Sequence, residues 1–389
     1  FFVGAGKRFT TGTAVSIGAE EEEMSSYHEG SLSLSVSQAL GRNFFGLADR
    51  AALTLADLDI ENAEYTSLDV IEDSVAAVRR AYWQLAFNDR LVTIASDMLA
   101  IAERLYRAYS AQVELGAVEE AELLATEANV KVAQNNLQSA SLEREAAKNR
   151  LLFLLNAGEY SDSLVVTSEL DTGVEGVDIL QALERALETR RDYARLLNQA
   201  RANDITLKVN RNALWPEIDL SASLAANGID TGTADAWDQA AGFGNTALIA
   251  GLSVSLPLEN RQARADLEGS RLRKEQILLG MKQLERLILL DIHNAVNRLN
   301  TLTGEVNTAR EIVELQRRKL DAEQDRILTG RSSIDTLIRY QEDLARARES
   351  LASLLYQYNV ARIDLARTQN VLLERYYDKP FELFEGPES

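Results

Sequence analysis

The 389-residue sequence has no cysteine, four prolines and two histidines, and it contains no run of eighteen apolar residues. Without cysteine there is no disulfide, no thiolate nucleophile and no sulfur-ligated metal, although the compartment stays open. His28 and His293 lie far apart, one beside an acidic stretch and one inside a helical pattern. They read as a solvated side chain and a helix-surface side chain, not as a metal-ligand pair. The missing apolar run excludes a transmembrane helix. Basic residues are outnumbered 41 to 60 by acidic ones, and the resulting net charge of −19 opposes a phosphate backbone, so no nucleic-acid partner is expected.

Catalytic signatures are missing as well. Gly4-Ala5-Gly6-Lys7-Arg8 resembles a phosphate loop only on the surface, because Phe1 stands where the first glycine belongs and Arg8 where Ser or Thr should follow. There is no Gly-x-Ser-x-Gly elbow, zinc-binding histidine pair or dinucleotide fingerprint. Acidic pairs such as Glu119-Glu120 read as solvated helix faces. The expectation is a protein with no catalytic residue, no metal site and no cofactor. The chain opens in Phe1-Phe2-Val3-Gly4-Ala5-Gly6, which reads as strand, with no initiating methionine or signal peptide, so upstream residues are expected.

What is present is helix, in unusual lengths. No proline precedes Pro216 and none lies between Pro257 and Pro380, while residues 47–115, 117–157 and 331–379 contain neither proline nor glycine. Proline and glycine are the residues that break helices, so long uninterrupted helices follow. One across the first segment would run roughly 100 Å at 1.5 Å per residue. Val75, Val78, Tyr82 and Leu85 step by three and four, as do Ile94, Met98, Ile101 and Leu105. The clearest stripe is Leu337, Tyr340, Leu344, Ala347, Leu351, Leu354, Tyr358, Ala361, Leu365 and Leu372, a heptad seam that predicts helices packed side by side.

Around 1–40 and 214–258 the period switches to two. Leu32, Leu34 and Val36 alternate with serines 31 to 37, and Ile218, Leu220, Ala222 and Leu224 alternate with Asp219, Ser221 and Ser223. Leu252, Val254 and Leu256 alternate with Ser253 and Ser255, and a looser run sets Phe9, Thr11, Thr13, Val15 and Ile17 against small residues. Four strands in two hairpins are predicted, each about the length that crosses a bilayer at a tilt, apolar on one face and small-polar on the other. Glu20 to Glu23 with Ser25, Ser26 and His28, and Asn227 to Asp238, read as acidic loops. Trp215 and Phe44-Phe45 fall where an interfacial aromatic girdle belongs.

The two halves repeat at an offset of about 215 residues: Leu34 to Leu40 matches Leu252 to Leu258, and Gly116 matches Gly330. Each glycine predicts a helix reversal through a left-handed cap, with Ser332 or Ser333 capping the returning helix and Asp335 in its first turn. The second unit has a helical segment, about 178–212, before its strands, so a comparable helix is expected upstream of Phe1.

Four strands cannot close a barrel in lipid, because two open edges would leave amides unpaired at several kcal/mol each. Copies must pool strands. Two would give eight and a filled lumen, three would give twelve and an open one, and the serine-rich face favours three.

These features together resemble the TolC-type outer-membrane factors, the exit ducts of tripartite efflux pumps and type I secretion systems. The resemblance covers essentially the whole chain. It rests on the paired strand-to-helix signatures (Leu34–Leu40; Leu252–Leu258 with Pro257) and the paired turns (Gly116; Gly330 with Ser333, Asp335 and Leu337). Thr189-Arg190-Arg191-Asp192-Tyr193 followed by Leu214-Trp215-Pro216-Glu217-Ile218-Asp219-Leu220 adds to it. It implies an α+β membrane protein in the outer membrane of a Gram-negative-type, diderm bacterium, extending into the periplasm. A homotrimer would form a twelve-stranded transmembrane β-barrel, four strands per chain, continued by an antiparallel α-helical barrel with internal duplication.

The segments would be 1–43 and 214–260 as β-hairpins, 44–156 and 261–375 as helical hairpins, and 191–213 as a helix leading to the barrel. Residues 157–190 and the tail 376–389 would form an equatorial belt. Gly116, Ala117, Val118 and Glu119, with Gly330, Arg331, Ser332, Ser333, Asp335, Thr336 and Arg339, would form the periplasmic tips. There a periplasmic adaptor (membrane fusion) protein and an inner-membrane pump or ABC transporter dock. Leu40, Pro216 and Pro257 would mark strand–helix junctions. Family members often close the tip with aspartates, whereas Thr336 and Arg339 stand at the matching positions here. The competing reading is a periplasmic coiled-coil adaptor or scaffold, with its strands in a compact soluble domain.

Overall fold

The computed structural model describes residues 1–24, 26–114, 119–157, 170, 173–328 and 333–374. They form two units, Phe1–Tyr65 with Asp192–Leu284, and Thr66–Arg191 with Glu285–Ser389. Two helices, α1 (Leu47–Glu114) and α6 (Arg261–Leu328), contribute residues to both.

The first unit is built on one antiparallel sheet of five strands in the order β1-β2-β3-β4-β5. They are β1 (Phe2–Arg8), β2 (Thr13–Met24), β3 (Tyr27–Ala39), β4 (Glu217–Asp230) and β5 (Thr246–Ser255). Beside them lie α4 (Arg191–Asn212), all but its first residue, and a short helix α5 (Thr233–Ala241). Side chains alternate across each strand, so the ladder registers sort the residues into two faces. Rows such as Ala5–Ile17–Leu34–Leu224–Leu248 run across one face, and rows such as Gly6–Ser16–Ser35–Ser223–Ile249 run across the other.

Four sequence expectations are corrected here. The chain supplies five strands to its sheet, not four. The looser first run is not continuous strand from Phe9. Residues 9–12 form a tight turn, with the Phe9 amide donating to the Thr13 carbonyl at 2.8 Å and Gly12 at φ 75°, and β1 precedes it. The turn packs against Gly46, whose own φ is 71°; a Cβ there would lie 2.0 Å from the Thr10 carbonyl oxygen. The glutamates 20–23 belong to β2, paired with Ser31, Gly30, Glu29 and His28, so a charged run marks a solvated strand end and not a loop. Likewise β4 continues to Asp230, and the segment after it folds into α5. Ala236 and Ala240 of α5 are buried against the sheet, over Gly228, where a Cβ would meet the Ala236 carbonyl oxygen at 2.0 Å.

The second unit is helical: the later part of α1, α2 (Glu120–Leu154), α3 (Ile179–Thr189), the later part of α6 and α7 (Ile334–Thr368). Leu85 packs with Ala147 and Leu151, and Ala102 with Val130 and Ala133, so α1 and α2 run antiparallel. Leu320 of α6 packs with Ile334, Leu337 and Leu344 of α7 in the same sense. Burying each such leucine contributes about 1.5–3 kcal/mol. The heptad seam on α7 is broader than expected. Leu337, Leu344, Tyr358, Ala361 and Leu365 are buried, but Leu351 and Leu354 are half-buried while Ala352 and Leu355 take the buried positions. A helix with neighbours on two sides buries two adjacent stripes, which a single seam cannot describe.

Candidate functional site

The sheet is the first candidate. On its apolar face Val3, Ile17, Leu34, Val36, Leu220, Leu248, Leu252 and Val254 are all exposed, from 38% for Val36 to 76% for Leu248. Eight large apolar side chains contiguous across five strands far exceed the scattered exposure normal for a water-facing surface. On the opposite face the Ser16 and Ser35 hydroxyls are 2.6 Å apart, and Ser33 donates to the Gly18 carbonyl at 3.4 Å. Such small hydroxyls suit contact with water. Both edge strands are exposed throughout, and their outer N–H and C=O groups have no strand beside them among the described residues.

The strand–helix junctions are built by asparagines that the sequence reading overlooked. The Asn43 side-chain oxygen accepts from the Ala48 amide at 2.7 Å, capping α1, and its amide donates to Asp49 at 2.7 Å. Its backbone N–H donates to Asn212 at 2.8 Å. Asn260, at φ 43°, donates to the Leu214 carbonyl at 3.2 Å ahead of α6. Asparagine tolerates left-handed backbone and caps helices, and its place one to four residues before each helix was the available signal. Leu40 donates to the Ile218 carbonyl at 2.7 Å, and the Pro216 carbonyl accepts from Arg42 at 2.8 Å. Pro257 is exposed just beyond β5. Trp215, Phe44 and Phe45 are 63%, 50% and 55% exposed beside these junctions, the two phenyl rings edge-to-face at 4.6 Å.

The helix turns are the second candidate. Gly116, Ala117, Val118, Gly330, Arg331 and Ser332 lie outside the described residues. Glu119 is the N-cap residue of α2 without a side-chain hydrogen bond, followed by Glu120 and Glu122 in the first turn. Ser333 caps α7, its hydroxyl accepting from the Thr336 amide at 3.4 Å, with Asp335 exposed in the first turn and the Arg339 guanidinium 5.8 Å from the Tyr340 ring centre. Behind this turn Asp343 accepts from Lys319 at 2.9 Å and Arg346 at 2.7 Å. Those two cations, Lys319 first, hold its carboxyl below the ordinary range. Asp73 is held low in the same way by its hydrogen bond from Arg367.

Elsewhere in the second unit, one buried polar network went unseen in the sequence. Glu72, 1% exposed in its side chain, accepts from Arg191 at 2.6 Å, from Asn370 at 2.8 Å and from the Leu372 amide at 2.8 Å. Arg191 also reaches Asp69 at 3.0 Å. A cavity of about 930 Å³ lies nearby, lined by Arg79, Trp83, Glu175, Tyr358, Arg362 and Glu374 among others. Among the described residues no three His, Cys, Asp or Glu side chains are grouped to hold a metal ion.

A two-faced sheet with open edges and long paired helices agrees with known proteins. The model of the family described as "Outer membrane efflux protein" matches residues 9–157 and 182–370. The chain belongs to that family. Its place is the outer membrane, and its family is one of efflux proteins, not of enzymes. It is 24% identical over 326 residues to the pyoverdine export outer membrane protein OpmQ of Pseudomonas aeruginosa. The match takes in 83% of this chain and 66% of OpmQ, just under two thirds of that protein's length. The fold is similar to the Campylobacter jejuni CmeC outer membrane channel, with TM-score 0.70, 15% identity, and coverage of 99% of this chain and 80% of that one. It is also similar to the outer membrane protein VceC of Vibrio cholerae, with TM-score 0.71, 17% identity, and coverage of 95% and 86%. The open state of the Neisseria gonorrhoeae MtrE outer membrane channel gives TM-score 0.70 at 19% identity, over 92% and 80%.

Proposed function

We propose that the chain is the passive exit duct of a tripartite efflux pump or type I secretion system. Three copies pool the hairpins β2–β3 and β4–β5 into a twelve-stranded barrel, apolar outside and serine-lined inside, continued by a barrel of helices. The observation that carries this reading is the sheet itself, exposed on its apolar face and open at both edges. In hydrocarbon an unpaired edge costs several kcal/mol per amide, and closure with copies of the same strand pattern removes that cost. Exposed apolar residues on α6, among them Leu279, Leu287 and Leu290, supply helix faces for packing against neighbouring copies.

In the same reading Gly116 to Glu119, and Gly330 to Ser333 with Asp335, Thr336 and Arg339, form the periplasmic tips that dock an adaptor protein. An inner-membrane pump or ABC transporter supplies the energy. Residues 157–190 with the C-terminal tail form the equatorial belt. The duplication of hairpin plus helix pair then makes each copy a pseudo-repeat, so that three chains give six similar sectors around the lumen.

Reconstitution into a planar lipid bilayer tests the reading. Stepwise, water-filled conductance from detergent-extracted protein is expected. A chain that remains soluble and monomeric without detergent, and leaves the bilayer silent, would refute it.

A further inference from the structure

The strands β2 to β5 and the helix α5 hold a single basic side chain among them. Residues 13–39 and 217–255 contain neither lysine nor arginine, and His28 is their one histidine. It stands near the start of β3, at the end of the sheet opposite the strand–helix junctions. The ladder sets it between Glu23 of β2 and Asp230 of β4. Residues paired across a ladder share a face, so these three side chains form one row, and Glu21 lies on the same face two residues along β2. The His28 Nδ1 is 3.6 Å from a Glu21 carboxylate oxygen, with the two side chains 23% and 14% exposed.

α5 docks on this same row. Its Ala236 and Ala240 sit over Gly228, and a Cβ on Gly30 would meet the Trp237 ring at 3.3 Å. The Thr233 hydroxyl is 3.3 Å from the His28 Nδ1, and the Trp237 indole N–H donates to Glu21 at 3.5 Å. The Gln239 amide donates to Asp230 at 2.7 Å. The helix is thus held through the imidazole and the carboxylates beside it. We propose that His28 makes α5 a pH-sensitive latch, which a proton on the imidazole tightens onto the sheet and its loss loosens.

The charges around His28 fix the sign. β2 brings Glu21 and Glu23 and β4 brings Asp230, while Asp235 and Asp238 of α5 are exposed to water. Glu29 of β3 lies on the opposite face, and β1 brings no ionisable side chain to this end. With the imidazole neutral, no lysine or arginine of these strands offsets the carboxylates, and like charges in neighbouring ladder positions are destabilising. Imidazoles ordinarily change charge between pH 5 and 8, where carboxylates stay ionised. A charged ring pairs with Glu21 and offsets Glu23 and Asp230, so proton binding and docking favour each other. The consequence for transport rests on the duct reading above, in which α5 belongs to the connection between β4 and β5 at the outer mouth. Docked, α5 holds that connection against the outer wall and clear of the opening; released, it leaves the connection free to lie across it.

Trp237 reports the latch directly. In the full chain carrying Trp83→Phe and Trp215→Phe, acrylamide quenching of Trp237 in detergent is measured from pH 5.5 to pH 8. The quenching constant is expected to be at least twofold higher at pH 8. His28→Gln should hold the high value at every pH, and His28→Arg the low value, two opposite limits that a merely structural role would not produce. Quenching that does not change with pH in the parent would overturn the latch. So would a His28→Gln variant that keeps the parental change, or a His28→Arg variant that quenches like His28→Gln. Bilayer recording separates the two readings. A protein with the quenching response intact that leaves the bilayer silent overturns the duct and leaves the latch standing, whereas a conducting protein with pH-independent quenching overturns the latch alone.

Discussion

The Glu72–Arg191 pair offers the sharpest energetic prediction, because both side chains are almost fully withdrawn from water, at 1% and 9% exposure. Changing Arg191 to Met leaves the Glu72 carboxylate, among the described residues, with the Asn370 side chain and the Leu372 amide as donors. Stranding a buried charge in this way costs about 3–5 kcal/mol. That is two to almost four decades in the unfolding constant at 1.4 kcal/mol per decade. Adding Glu72→Gln removes the stranded charge while its remaining carbonyl oxygen still accepts from the Leu372 amide. The double variant should therefore recover to within about 1–2 kcal/mol of the parent.

The assay follows from the structure. Trp83 packs against the cluster of Ala76, Ile363 and Leu372, and the only other tryptophans are Trp215 and Trp237. With those two replaced by Phe, urea unfolding followed by Trp83 fluorescence in detergent reports on the second unit alone. A loss under about 1 kcal/mol for Arg191→Met, or strictly additive losses in the double variant, would refute the reasoning.

Further expectations concern the sheet, pH and one glycine. Leu34→Arg puts a charge on the apolar face and should cost about 2–4 kcal/mol of barrel stability in lipid, whereas Ser35→Arg, one residue on, should insert normally and change conductance selectivity; heat-dissociation gels and bilayer recordings separate the two. Asp343 titrates at a lowered pH when folded, so its pairing with Lys319 and Arg346 stabilises fully above the ordinary aspartate value of about 3.9 and is lost as pH falls through the folded value. Asp343→Asn should flatten that acid limb of a stability–pH profile, and an unchanged limb would count against the pairing. Gly228→Ala drives a methyl group into the Ala236 carbonyl and should loosen α5 at a cost of about 1–3 kcal/mol, seen as a shift in Trp237 emission.

How far the sequence spoke depended on whether a signal was local and periodic. The central strands were legible because leucines and serines alternate without fault in Leu32–Ser37 and Ile218–Leu224, and the helices because nothing in 47–114 interrupts them. The ends were not. Glu20 to Glu23 look like a loop by charge, yet a strand that rises out of an apolar band into water tolerates charge while its backbone ladder continues. The turn at Thr10-Thr11-Gly12 sat inside an alternation loose enough to pass for strand, so β1 went uncounted. Asn43, Asn260 and Glu72 act through partners that are distant in sequence or through backbone angles, and neither leaves a periodic mark.

The central claim is that this sheet closes only with copies of itself. Imaging of single detergent-extracted particles tests it most directly. Three-fold particles are expected, their strands forming one continuous hollow barrel at one end of a helical stalk. Isolated subunits whose row of Ile17, Leu34, Leu224 and Leu248 is packed inside a dry protein core would contradict it.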